Sequence, residues 1–274
     1  MNLEAYFNRI GFSRAARADL STLNALMSAH VRAVPFENLD IYSERGVSAN
    51  VEEIYDKIVT RGRGGWCYEM NGLFEWVLKE IGFDVQPLSA GVRRATMGDD
   101  ALGNHLCLQV TLDQPYLVDV GFGSSQLYAL PFTEEITKHK PIQIALAQIE
   151  NGFWRLHEGG PGSAVSYDFK PGWCDENLLS KSHDWQVSEP RSIFRKTLIA
   201  KLRRDDDYLE MRGRIFETRK PGWKDTTLLE TPEQAASILE DVFGLAEPNL
   251  QRLWPMICKR HNQMFPHAED GRLA

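Results

Sequence analysis

The chain has 274 residues, 43% hydrophobic and 25% charged, enough to bury a substantial core as one large domain or two to three small ones. Its 31 Lys and Arg against 38 Asp and Glu leave a net charge of −7, which argues against a nucleic-acid or anionic-membrane protein. No CxxC pair links the four cysteines, no apolar run is long enough to span a membrane, and Met1–Ile10 lacks a signal-peptide pattern. The expectation is therefore a reduced, cytoplasmic protein with no metal and no nucleic-acid or membrane partner. The sequence is silent on oligomeric state. An anionic ligand would need a local basic cluster, and Arg93-Arg94, Lys138 with Lys140, and Lys201 with Arg203 and Arg204 are the candidates.

The chain opens with helical spacing. Leu3–Ile10 is a short amphipathic segment. Leu20, Leu23, Leu26, Met27 and Val31 recur at helical intervals, with Asp19 or Ser21 as cap and Pro35 as stop. Val51, Ile54, Tyr55, Ile58 and Val59 predict another helix, ended by the Gly62–Gly65 loop. The next helix runs from Cys67 to Ile81, and Gly82 stops it.

After Gly82 the period changes to two. Phe83–Val85, Leu88–Arg93, Leu106–Val110 and Tyr116–Val120 read as strands, with Asp113-Gln114-Pro115 turning between the last two. Ile142–Ile149, Phe153–His157 and Ala164–Phe169 continue the pattern, with Asn151-Gly152 as a hairpin turn. Residues 83–190 thus resemble a small barrel or sandwich. Further on, Thr197–Leu202 and Arg214–Thr218 are predicted strands joined by the tip Asp205-Asp206-Asp207. Thr231-Pro232 starts a helix, Asn249–Arg260 is a final helix, and Pro266–Ala274 is a tail that either is disordered or packs back.

The chemistry centres on Cys67. A thiol at a helix start faces unpaired backbone N–H groups and the positive end of the helix dipole, which favour thiolate. His105 begins one strand. Asp119 interrupts the apolar strand Tyr116–Val120, and a carboxylate buried there needs a charged or hydrogen-bonding partner. A protonated His105 is such a partner. Cysteine, histidine and aspartate in this order suit a thiol nucleophile, its base and the carboxylate that orients the base. Buried cysteine is also an ordinary core residue. Cys107, Cys174 and Cys258 lack comparable context and read as structural or incidental. Arg61-Gly62-Arg63-Gly64-Gly65 has neither GxGxxG nor Walker spacing, so it is no nucleotide-phosphate loop.

Three words occur in order: Val34-Pro35-Phe36-Glu37-Asn38-Leu39, Arg63-Gly64-Gly65-Trp66-Cys67-Tyr68-Glu69-Met70-Asn71, and Val118-Asp119-Val120-Gly121-Phe122-Gly123. Together they resemble the arylamine N-acetyltransferases. The likeness is strong in the first half and thins after about residue 130. The resemblance implies an α+β fold with an N-terminal helical bundle (1–82), a central β-barrel (83–190) and a C-terminal α/β lid (191–274), around a Cys-His-Asp core. It implies acetyl-CoA as donor and an arylamine, arylhydrazine or N-arylhydroxylamine as acceptor. Cys67, His105 and Asp119 match the catalytic residues. Phe36, Val92 and Phe122 match positions lining the acceptor pocket, and Gly123 and Phe194 match positions near the CoA pantetheine. Trp66 reads either as a flat apolar wall of that pocket or as core. Glu37 and Arg63 read as a structural ion pair. The rival readings are another Cys-His-Asp enzyme, a thiol hydrolase or transglutaminase-like protein, and a binding module with an incidental cysteine.

Overall fold

A computed structural model describes residues 1–123, 125–159, 165–204 and 206–265. Helices α1 (Leu3–Ile10) and α2 (Leu20–Ala33) come first, the second capped by Asp19, whose side chain accepts from Thr22 N at 2.7 Å. Strand β1 (Phe36–Glu37) is followed by the short helices α3 (Leu39–Tyr42) and α4 (Val51–Tyr55). α4 runs on into a π-helical turn, Asp56–Thr60. Helix α5 (Cys67–Ile81) then crosses the core. Its Met70, Leu73, Phe74, Val77 and Leu78 are fully buried, each stabilising the packed helix by roughly 1.5–3 kcal/mol.

The strand region begins with β2 (Asp84–Val92), a short helix α6 (Arg94–Met97), and β3 (His105–Thr111) with β4 (Pro115–Val118). β5 (Leu130–Pro131), β6 (Glu135–His139), β7 (Ile142–Gln148), β8 (Trp154–Glu158) and β9 (Ser166–Phe169) complete an eight-stranded sheet in the order β5-β4-β3-β2-β9-β8-β7-β6. The expected β3–β4 hairpin is present, with Leu108 opposite Val118, and Asn151-Gly152 turns β7 into β8. Pro87 falls inside β2, and β2 meets its second neighbour β9 only at Gly91 and Val92, so the missing amide breaks no ladder bond on that side.

Three features depart from the sequence reading. Among the described residues, the terminal strands β5 and β6 do not pair with each other, so the sheet is an open, curled half-barrel and not a closed barrel. Helix α7 (Glu176–Ser188) follows where only β structure was expected; it buries just Leu179, His183 and Gln186, too weak an apolar stripe to read in advance. After α8 (Ile193–Lys196), the chain forms β10 (Ile199–Arg204), β11 (Asp207–Arg212), β12 (Ile215–Lys220) and β13 (Trp223–Leu228). The polar tip therefore leads into β11, not directly to the strand at Arg214. β11 and β13 were missed because neither has a period of two: β11 is buried at four consecutive positions, Tyr208–Met211, with Glu210 among them, and β13 is mostly exposed.

These four strands and β1 make a second sheet, in the order β1-β10-β11-β12-β13. Helices α9 (Pro232–Ser237) and α10 (Leu250–Met264) pack on it. β1 thus ties the first helices to the last sheet. Asn38 reinforces the tie, accepting from Ile199 N at 2.7 Å and donating to the carbonyls of Phe194 and Thr197, each at 2.8 Å. The predicted tail lies outside the described residues. No helix among them is long and apolar enough to cross a membrane.

Candidate active site

Cys67 is the first residue of α5 and is buried. α5 packs on β2 and β3, and β3 alternates: Leu106, Leu108 and Val110 join the cluster around α5, while Cys107 faces the cluster inside the curled sheet. His105 shares the parity of Cys107. Its ring lies 4.7 Å from Tyr167 and 5.3 Å from Phe122. Asp119 follows β4 directly and is 1% exposed, so its charge must be compensated from within.

The compensation is complete. His105 Nε2 sits 2.7 Å from Asp119 Oδ2. The other carboxylate oxygen accepts from Asn71 Nδ2 at 2.9 Å and from Gly121 N at 2.8 Å. Asn71 also donates to the Leu106 carbonyl at 2.7 Å and accepts from Val120 N at 3.0 Å. It stands one helical turn after Cys67, on the same face of α5. One amide thus fixes the thiol helix, β3 and the Asp119 loop together. Sequence reasoning quoted Asn71 in its motif without a role; the i, i+4 spacing from Cys67 was the available signal. Gly121 closes the arrangement, because a Cβ there would lie 2.6 Å from Asn71 Nδ2 and 2.8 Å from Cys67 Cα.

Burial disfavours a charged His105, yet the Asp119 carboxylate, then the hydrogen bond and charge of Cys67, outweigh it and raise the imidazole to about 10. With Nε2 engaged by Asp119, Nδ1 is the nitrogen left for the thiol. Tyr167 packs against His105 at a tilt of 53°, and burial followed by the Asp119 charge pushes its phenol well above the usual value.

The remaining expected residues surround this centre. Phe36, on β1, is buried and forms a β-bridge to Gly65, two residues before Cys67. Val92 ends β2 and packs with Phe122 against the cluster that contains Tyr167. Gly123 follows Phe122, and its carbonyl accepts from the Tyr208 hydroxyl at 3.0 Å. Phe194, on α8, meets Trp66 edge-on at 5.2 Å. Trp66 is 1% exposed and also packs on Tyr68 and on His183 of the unforeseen helix α7. It has the surroundings of a core residue.

A second ionic cluster lies behind the start of α5. Arg63 and Glu37 form the expected pair at 2.9 Å. Lys57, from the π-helical turn, was not anticipated: its ammonium contacts both Glu69 oxygens at 2.9 Å, Asp40 at 2.9 Å and Glu37 at 3.9 Å. Glu69 in turn accepts from Trp66 N at 3.2 Å, the amide just before the thiol. A lysine between Tyr55 and Ile58 of a predicted amphipathic helix looks solvent-facing, and only the tertiary arrangement buries it. Among the described residues, no group of three His, Cys, Asp or Glu side chains is placed to hold a metal ion.

The model of the N-acetyltransferase family matches residues 19–250 of this chain. Full-length relatives agree. The chain is 29% identical to human arylamine N-acetyltransferase 1, covering 97% of this chain and 99% of that one, and 37% identical to rat arylamine N-acetyltransferase 2, covering 90% and 94%. It is 32% identical to the Mycolicibacterium smegmatis enzyme, over 89% and 92%. Among solved structures, the arylamine N-acetyltransferase of Mycobacterium marinum in complex with CoA superposes with a TM-score of 0.84 at 30% identity, over 94% of this chain and 99% of that one. The chain belongs to the arylamine N-acetyltransferase family.

Proposed function

We propose that this protein transfers the acetyl group of acetyl-CoA to the nitrogen of arylamines or arylhydrazines, and to the oxygen of N-arylhydroxylamines, through an acetyl-Cys67 intermediate. The carrying observation is the buried Asp119–His105 pair beside a thiol at the start of α5, in a chain whose relatives are arylamine N-acetyltransferases.

Cys67 thiolate attacks the acetyl carbonyl. The first-turn amides of α5, which have no partner within the helix, are suited to the oxyanion. The C–S bond to CoA breaks, and His105 Nδ1–H supplies the proton that leaves with CoA as its thiol. The arylamine then attacks the thioester, neutral His105 takes the amine proton, and Cys67 departs as thiolate. The starting ion pair is restored. Asp119 holds the imidazole's orientation and charge throughout. An aromatic amine is a weak nucleophile, so an activated acyl group and a positioned base are both needed.

Phe36, Val92 and Phe122 line the acceptor side in this reading, and Gly123 and Phe194 flank the pantetheine. The divisions at residues 82 and 190 separate a nucleophile-bearing bundle, a sheet bearing His105 and Asp119, and a covering unit. The β1–β10 pairing and Asn38 lock that covering unit onto the bundle. All four cysteines are free, which supports a reducing compartment, the cytoplasm.

Incubation with acetyl-CoA followed by intact mass measurement should show one acetyl group on Cys67, removed on adding an arylamine with formation of its amide. Release of CoA without an adduct and without dependence on amine would assign a hydrolase instead.

A further inference from the structure

Two side chains of α5 reach from the thiol's end of the helix to the segment that carries the base. Asn71, four residues after Cys67, donates to the carbonyl of Leu106, one residue after His105, at 2.7 Å. Tyr68, next to Cys67, donates from its hydroxyl to the carbonyl of Gly103, two residues before His105. Tyr68 and Asn71 are three residues apart, so they are neighbours on the helix surface. Residues 103–106 are thus tied to α5 at both ends, with His105 between the two ties.

The end held by Tyr68 is itself firmly built. Gly103 N donates to the Ala90 carbonyl of β2 at 2.9 Å. Gly103 has φ 83°, and a Cβ there would lie 2.7 Å from Leu178 Cγ and 2.9 Å from the Leu178 carbonyl oxygen, so α7 seats directly on it. Asn104 clasps Val92, accepting from its amide at 2.7 Å and donating to its carbonyl at 3.2 Å. Gln186 of α7 donates to the Asn104 carbonyl at 3.1 Å. With so many backbone partners the segment moves as a unit, and a displacement at Gly103 is passed on to His105.

The Tyr68 side chain is buried, with its ring 4.8 Å from Trp66 and edge-on to His183 at 5.2 Å. A second carbonyl, Leu179 of α7, lies 3.2 Å from the hydroxyl. Burial, then the charge of Cys67, raises the phenol well above its usual value; a hydrogen bond from Ser182 opposes this and Asp184 adds to it. The group therefore stays a proton donor. A phenyl ring would serve the packing equally well, and only the hydroxyl makes the tie.

We propose that Tyr68 is a positioning residue of the acyl-transfer reaction: its hydroxyl, bonded to the Gly103 carbonyl, sets the approach of His105 Nδ1 to the Cys67 thiol. This rests on the acetyl-transfer reading above. Asp119 fixes how the imidazole is turned. Tyr68 fixes how far the strand start that bears it stands from the helix start that bears the thiol. Without the tie the thiolate–imidazolium pair loosens, and the thiolate loses part of the cation that supports it.

The test is the pH dependence of Cys67 alkylation by iodoacetamide, followed on the Cys67 peptide by mass spectrometry, which reports the thiolate without any acetyl donor. Tyr68→Phe keeps the ring and removes the donor. Its acidic limb should move up by about one pH unit, leaving about tenfold less thiolate below the limb. Single-turnover acylation by acetyl-CoA should slow by a similar factor there and recover as pH rises. 4-Aminophenylalanine at position 68 returns an N–H donor to the same place and should reverse most of the shift. A Tyr68→Phe variant that melts earlier yet alkylates along the wild-type profile overturns the proposal, because Tyr68 then serves the fold alone. Should Tyr68→Phe not fold, 4-fluorophenylalanine fills the hydroxyl's volume without a donor and carries the same expectation; if that variant also fails to fold, the hydroxyl is structural and the proposal falls. A wild type that alkylates normally but takes no acetyl group from acetyl-CoA would instead overturn the acetyl-transfer reading.

Discussion

Two buried ionic clusters flank the first turn of α5, and they handle desolvation in opposite ways. In front, a single carboxylate, Asp119, is satisfied by one imidazole and by neutral donors from Asn71 and Gly121. Behind, Lys57 and Arg63 interlock with Glu37, Asp40 and Glu69, and the charges answer one another. The front cluster leaves one nitrogen of His105 uncommitted to Asp119. The rear cluster engages its charges in holding the PFENL and RGGWC loops together. In front, the imidazole is placed to pass a proton to and from the thiol; in the rear, the contacts hold the loops in position. The contrast teaches that equal burial does not mean equal purpose, and it can be broken at three points.

The largest effect is expected at Asp119. Asp119→Asn keeps the shape but removes the charge that raises His105, and its amide cannot serve both partners as the carboxylate does. Acylation of Cys67, followed as CoA release in single turnover, should fall by about 10⁴-fold, the scale known for replacing the orienting carboxylate by its amide in a nucleophile–His–Asp triad. The urea midpoint should move much less than the rate. A rate within tenfold of wild type would place Asp119 outside the chemistry.

The rear cluster should respond the other way. Glu37 is fully buried and accepts from Arg63 at 2.9 Å and from Leu39 N at 2.7 Å. Glu37→Ala leaves buried partners uncompensated, and stability should drop by about 3–5 kcal/mol. The fraction that stays folded should still acylate. A variant that kept its melting temperature yet lost thioester formation would remove the distinction between the two clusters.

How much of this was legible differs between the clusters. The front was written locally: Asp119 between Val118 and Val120 is a charge in a strand with no surface side, and His105 begins the strand that pairs with it. α5, the β3–β4 hairpin and the β7–β8 turn followed from period and turn residues in the same way. The rear was only partly legible. Glu37 and Arg63 sit in recognisable words, but Lys57 looks like any surface lysine of an amphipathic segment until α1, α4 and α5 close around it. The C-terminal sheet was least legible, because β11 is buried at four consecutive positions with Glu210 among them, β13 is mostly exposed, and the apolar support comes from α9 and α10, far along the chain. Lys201 belongs to that class: its sequence marks it as basic, and only the β1–β10 register brings it opposite Phe36.

The smallest effect is in pH, and it separates the rear cluster from the packing behind α5. Glu69 is raised by burial, against the pull of Lys57, to about 7. A carboxyl raised on folding contributes stability that is full below its ordinary value near 4.5 and is lost as pH climbs through 7. His30 is the opposite case. Burial, helped by Arg9, lowers it to about 3, and it sits neutral against Tyr6 Oη at 2.8 Å and the edge of Phe74 on α5. Its contribution is full above about 6.5 and is lost as pH falls toward 3, amounting to under about 1 kcal/mol at pH 6. Between 4.5 and 6.5 the slopes from these two residues oppose. Relative to wild type, Glu69→Gln should therefore gain stability as pH rises from 5 to 7, and His30→Gln should gain as pH falls over the same span, both read from urea denaturation. Parallel slopes in the two variants would mean that Glu69 is not held protonated by its burial, and that the rear cluster carries its full complement of charge at neutral pH.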